Sequence, residues 1–276
     1  MKSRFRRRRR FDLSKALFIL PNLFTVSAIF CGFYAAILAA SANGAGKAET
    51  LYRACIAVLF AMVFDAVDGR VARLTKTQSA FGVQMDSLAD VISFGIVPGL
   101  IAWHWGLNTL GTFGLFACFF FCACGAIRLA RFNVMAAAED GPSAYFLGLP
   151  IPAAAGFLVA CIIATLKDTP MRTTLDWWPA PLLFLLGILM VSNVRFRTFK
   201  AARLNAKGAL LLVGVVGSTL AVGVRFSASI AIVALMGGYL MAGVVEGMYT
   251  LFKRGHEATD AIARDQYEDD EEELID

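Results

Sequence analysis

The chain has 276 residues, of which 58% are hydrophobic and 17% charged, and a net charge of +5; its mean hydropathy is +0.65. Soluble domains carry about 25% charged residues, so this composition excludes an ordinary soluble domain and points to a chain built for lipid. No nucleic-acid partner is expected.

The chain opens with a basic stretch: residues 2–15 hold Arg4, the run Arg6–Arg10 and Lys15. This is too basic for a secretory signal, and the apolar run behind it is of full spanning length with no small-residue cleavage pattern. Residues 1–16 are read as a cytoplasmic arm. It either lies on anionic lipid, at about 1 kcal/mol per basic residue, or simply sets the topology.

Six runs contain no Asp, Glu, Lys or Arg: 16–46, 91–127, 141–166, 177–194, 208–224 and 226–245. A spanning helix needs roughly 20 mostly apolar residues. The pattern predicts eight helices, near 18–42, 50–74, 79–104, 109–134, 147–166, 177–195, 207–224 and 227–252. The run 91–127 holds the end of the third, a turn near Gly106–Gly111 and most of the fourth. The fold expected is all-α, a polytopic integral-membrane bundle over residues 17–252. An acidic tail, 253–276, is read as disordered, since Glu268 to Asp276 is almost wholly acidic.

With eight helices both termini share one side. That side collects every Lys and Arg except Lys47, Arg53, Lys167, Arg172 and Arg225, which places it in the cytoplasm. Trp103, Trp105, Trp177 and Trp178 fall at the opposite interface, where indoles anchor. The six cysteines, Cys31, Cys55, Cys118, Cys122, Cys124 and Cys161, lie in apolar helices and read as small packing residues. Cys122 and Cys124 point to different helix faces and make no metal site. The only histidines, His104 and His256, offer no base near the acidic residues described next.

Asp65, Asp68, Asp86 and Asp90 stand within apolar sequence. Asp65 and Asp68 are three apart and share a helix face, with Gly69 and Ala72 removing bulk from the same side. Arg73 ends the helix as a cation suited to bidentate phosphate contact. Gly82, Asp86 and Asp90 form a stripe on the next helix. The turn at 74–78 is short, so the two stripes can face each other in one acidic cleft open to the cytoplasm.

Carboxylates in a low-dielectric setting need partners. Ion pairs with Arg53, Arg70 and Arg73 would answer one or two aspartates, but four on glycine-lined stripes point to bound divalent metal. Hard cations take carboxylate oxygens, and two of them clamp the oxygens of a phosphoryl displacement. Two metals leave one carboxylate free as a general base toward a hydroxyl. A metal-ion transporter is the rival. Against it, the aspartates are confined to one hairpin, without paired interrupted helices in two halves of the chain.

The pattern Asp65-x2-Asp68-Gly69-x2-Ala72-Arg73-x8-Gly82-x3-Asp86-x3-Asp90 resembles the signature of the CDP-alcohol phosphotransferases at every spacing. The resemblance implies a six-helix core, here with two more helices. It implies Asp65, Asp68 and Asp86 as ligands of two divalent ions, Mg²⁺ or Mn²⁺, and Asp90 as the base on the acceptor alcohol. Gly69, Ala72, Arg73 and Gly82 would line the CDP site. Pro21-Asn22-Leu23-Phe24-Thr25 resembles the family's first-helix entry, so Asn22 and Thr25 are expected at the nucleotide.

Within the family, Gly125-Ala-Ile-Arg128-Leu-Ala-Arg131-Phe-Asn133 and Gly148-Leu-Pro150-Ile-Pro152-Ala-Ala-Ala-Gly156 resemble bacterial and archaeal phosphatidylserine synthases. CDP-diacylglycerol and L-serine are thereby implied as substrates, with a homodimer, a bacterial inner membrane and an active site facing the cytoplasm. Glycerol 3-phosphate, an inositol phosphate or choline stay open as acceptors. Arg128 and Arg131, three apart on one face, either hold a lipid phosphate or the acceptor carboxylate, or anchor the helix at the cytoplasmic surface. Pro150 and Pro152 break the start of the fifth helix, with or without a ligand role for the freed carbonyls. Helices seven and eight and both tails carry no functional argument.

Overall fold

The computed structural model describes residues 13–75, 77, 79–138, 145–167, 177–197, 230–238 and 240–241. They are helical apart from turns and one short strand pair. In chain order come α1 (Leu13–Ser41), α2 (Lys47–Thr75), α3 (Ala80–Asp90), a π-helical segment (Val91–Ile96), α4 (Val97–Trp105) and α5 (Gly111–Ala138). They are followed by β1 (Tyr145–Leu147), α6 (Ile151–Lys167), α7 (Pro179–Val191) and β2 (Arg195–Arg197). Residues 230–238 are helical as well. The seventh predicted helix, the acidic tail, most of the eighth helix and residues 1–12 of the basic arm lie outside the described residues, and residues 13–16 of the arm already belong to α1.

Two compact units divide the chain, residues 1–122 and 123–276. In the first, α1 packs along α2, and the continuous helix of α3, the π segment and α4 lies against α1. The buried face of α1 carries Thr25, Ala28, Ala35 and Ala39, whereas Phe30 and Phe33 are 66% and 61% exposed. The face of α2 that packs inward is mostly small, with Ala54, Cys55, Ala57 and Ala61 buried beside Leu51 and Val58, and Phe60 outside. Small residues within and large apolar ones without are the inverse of a soluble core, and suit helices that meet closely in lipid. Among the described residues, four helices, Asn22–Ser41, Gly44–Thr75, Ala80–Trp105 and Leu107–Ala136, are long and apolar enough to cross a membrane.

The helix 80–105 starts at Ser79, whose Oγ accepts from the Gly82 N–H at 3.0 Å as an N-cap. Its middle widens because Pro98 has no N–H to give, and its ring opposes the carbonyl four residues back. The bonding shifts there, so that the Val97 N–H donates to the Ile92 carbonyl. The chain then turns through Gly106 and Leu107–Leu110 to Gly111 (φ +56°). The 107–110 turn packs tightly on the start of α5, since a Cβ on Gly114 would overlap the Leu107 carbonyl.

In the second unit β1 pairs antiparallel with β2, Phe146 opposite Phe196. Gly148 (φ +74°) turns the chain out of β1 beneath the Met190 carbonyl. The helix predicted from 147 therefore begins at Ile151, after this turn and Pro150. The helix predicted to end at 195 stops at Val191, where the chain leaves it for β2.

Candidate active site

Asp65 and Asp68 lie in the last three turns of α2, and Asp86 lies in the second turn of α3. Asp68 is seven residues from the end of α2, about 10 Å at 1.5 Å per residue. Beyond α2 the Thr77 N–H closes the helix end on the Ala72 carbonyl at 3.1 Å. One carboxylate oxygen from each of Asp65, Asp68 and Asp86 then lies within 4.8 Å of the others. Asp68 is buried, and Asp65 and Asp86 are half-buried. Asp90 sits one turn beyond Asp86, within hydrogen-bond reach of Asp65. The two facing stripes expected from spacing are thus adjacent.

A pocket opens beside this cluster, lined by Asn22, Thr25, Asp68, Gly69, Ala72, Arg73, Thr77, Ser79, Gly82, Val83 and Asp86. Each element contributes for a local reason. Gly82 keeps the wall thin, because a Cβ there would stand 3.2 Å from the Ser79 Oγ and 3.8 Å from Asn22 Oδ1. Arg73 folds back along its own helix, placing both terminal guanidinium nitrogens 3.9 Å from where a Gly69 Cβ would be. A polar floor, a cation and two of the three clustered carboxylates meet in one recess.

Three carboxylates this close repel strongly. Two like charges 4 Å apart oppose each other by about 4 kcal/mol at an effective dielectric of 20. Of the three arginines considered as counter-ions, Arg53 pairs with Glu49 at 2.9 Å and is twelve residues from Asp65, about 18 Å along the helix. Arg73 is the cation at the pocket wall. The donor set is all hard oxygen, which fits a divalent cation of the Mg²⁺ or Mn²⁺ type.

Among the residues expected at the nucleotide, Asn22, Gly69, Ala72, Arg73 and Gly82 line the pocket, as does Thr25, whose hydroxyl is bonded to Asp68. Arg128 and Arg131 belong to the second unit. Arg131 donates through Nη1 to the Val191 carbonyl (2.9 Å) and Asn193 Oδ1 (3.2 Å), and through Nη2 to the Ser192 carbonyl (3.0 Å). It therefore caps the carboxyl end of α7, a role not among those considered from sequence. Arg128 is buried, its guanidinium 5.4 Å from the centre of the Phe132 ring. Asn133 falls inside α5. Thr77, Ser79 and Val83 are pocket residues that sequence reasoning missed. Of these, only Ser79 carried a readable signal, as the N-cap ahead of Gly82.

A family model described as CDP-alcohol phosphatidyltransferase matches residues 18–192. The chain is similar to the CDP-diacylglycerol–serine O-phosphatidyltransferase of Helicobacter pylori, 38% identical over 237 residues, which is 86% of this chain and 94% of the relative. The enzyme of the same name from Saccharomyces cerevisiae is 44% identical over 128 residues, 45% of this chain and 46% of its own. The archaetidylserine synthase of Methanothermobacter thermautotrophicus is 32% identical over 179 residues, covering 64% and 69%. Its apolar helices make it an integral membrane protein, and with the matched model reaching from α1 through α7 and around the aspartate cluster, this chain belongs to the CDP-alcohol phosphatidyltransferase family.

Proposed function

We propose that this chain transfers the phosphatidyl group of CDP-diacylglycerol to the hydroxyl of L-serine, giving phosphatidylserine and CMP. The observation that carries this is the convergence of Asp65, Asp68 and Asp86 beside a polar pocket. The names of its relatives, serine phosphatidyltransferases and an archaetidylserine synthase, support serine as the acceptor.

The serine oxygen forms a bond to the phosphorus that bears diacylglycerol, and the bond from that phosphorus to the CMP oxygen breaks. Asp90 takes the proton of the serine hydroxyl as general base. Asp65, Asp68 and Asp86 would hold Mg²⁺ or Mn²⁺, two ions. Bound there, the metal would offset charge on the pyrophosphate and on departing CMP. Arg73, a fixed cation on the wall, contacts a phosphate oxygen. Gly69, Ala72 and Gly82 leave room for the nucleotide, and Asn22 offers it an amide.

The bias of Lys and Arg supports a cytoplasmic mouth for this cleft in a bacterial inner membrane. One acyl-tailed and one water-soluble substrate then meet at the interface, with anionic lipid around the basic arm. A homodimer completes the proposal.

The test supplies labelled serine and CDP-diacylglycerol with Mn²⁺ to the purified protein. Labelled phosphatidylserine and CMP in equal amounts are expected. CMP without labelled lipid would mean hydrolysis, and would overturn transfer.

A further inference from the structure

Asn22 and Thr25 lie on one face of α1, and both border the pocket, but the structure separates their tasks. We propose that Thr25 is a positioning residue for Asp68, holding one carboxylate oxygen so that the group keeps a single orientation toward bound metal. This rests on the metal site proposed above.

The Oγ1 of Thr25 donates to Oδ2 of Asp68 at 2.8 Å, joining α1 to α2 across 43 residues. Thr25 is 5% exposed and Asp68 is 4% exposed, so water competes poorly for either partner. A buried hydroxyl needs an acceptor, and a carboxylate is the strongest one available. The terminal torsion of an Asp side chain is broad and two-fold. The Gly69 N–H also reaches the Asp68 carboxylate from within α2; the Thr25 hydroxyl, holding Oδ2 from α1, adds the second contact that sets its plane. Asp68 is the most buried of the three clustered carboxylates and the one bordering the pocket from α2. Its orientation therefore governs how the cluster meets a cation. Partners that orient a ligand from behind typically change metal affinity or activity 10–100-fold when removed. Asn22, half-exposed at the pocket, is left as the α1 residue that faces substrate.

The test titrates the purified full chain with Mn²⁺, reading free Mn²⁺ by electron paramagnetic resonance, and in parallel measures KM for CDP-diacylglycerol at saturating Mn²⁺. Thr25→Val preserves the branched shape and removes the hydroxyl. It should weaken Mn²⁺ binding about tenfold or more, with KM for the lipid unchanged. Thr25→Ser should restore binding, which a purely packing role would not produce. Asn22→Ala should do the reverse, raising KM and leaving Mn²⁺ affinity alone. If Thr25→Val does not fold, Thr25→Ala carries the same titration. Wild-type Mn²⁺ affinity in the hydroxyl-less variant, with a raised KM, would overturn the positioning role and return Thr25 to the nucleotide. Failure of the unaltered protein to bind Mn²⁺ would instead remove the metal site, and this proposal with it.

Discussion

Gly32 of α1 sits directly against Ser93 of the π-helical segment. A Cβ placed on Gly32 would stand 2.7 Å from the Ser93 Oγ and 3.2 Å from its Cα. Ser93 is fully buried and donates to the Ala28 carbonyl at 3.3 Å. The widened turn that follows Asp90 is therefore seated on α1, three residues from the proposed base.

Gly32→Ala should force α1 and the 91–96 segment apart, because the obstructing atoms include backbone. A loss of about 1–3 kcal/mol is expected for overpacking of this kind, read as a lowered melting temperature in detergent. Turnover should fall with it, since the spacing of Asp90 from the cluster depends on that seat. Unchanged stability and turnover would show that the helices separate freely.

Asp90→Asn should lower turnover about a hundredfold or more, the usual worth of a positioned general base, while CDP-diacylglycerol and Mn²⁺ still bind. Asp68→Asn should abolish Mn²⁺ binding itself. The two variants separate base from ligand. Near-normal activity in Asp90→Asn would remove it from the base role.

Arg131→Met should destabilise the second unit by about 1.5–3 kcal/mol, because hydrogen bonds from a charged group to the end of α7 are lost. Lys in its place keeps charge but not the fork, so it should recover little. Unfolding followed by denaturant reads this directly. An unaltered unfolding curve for the Met variant, together with a raised KM for serine or CDP-diacylglycerol, would return Arg131 to substrate binding.

Divalent metal should stabilise the fold where serine alone does not. At a concentration 100 times its Kd, a ligand that binds only the folded state adds about 2.7 kcal/mol. Melting temperature should rise with Mn²⁺, fall back with EDTA, and stay flat in a protein carrying Asp65→Asn and Asp86→Asn. A rise that survives those two changes would place the ion elsewhere.

Much of this architecture was legible because lipid imposes simple rules. A charge-free run of spanning length has few alternatives to a helix: the run 16–46 holds most of α1, and 91–127 holds α4 and the greater part of α5. The aspartates were legible for the same reason, since fixed spacing puts them on common faces. What hydropathy could not show is where a helix stops. Gly148 and Pro150 are as compatible with an apolar run as with a turn, and the strand pair 145–147 with 195–197 leaves no mark in composition. Partnering is equally silent: Thr25 reads as a nucleotide contact until Asp68 is found across from it. Arg131 reads as a substrate contact or a surface anchor until the end of α7 is found in its grasp.

The most direct test of the central claim follows CMP release from CDP-diacylglycerol and Mn²⁺ with one acceptor at a time: serine, glycerol 3-phosphate, an inositol phosphate or choline. Release with serine alone, abolished by EDTA, is the predicted result. Release driven by another acceptor but not by serine would contradict it, as would release that EDTA leaves untouched.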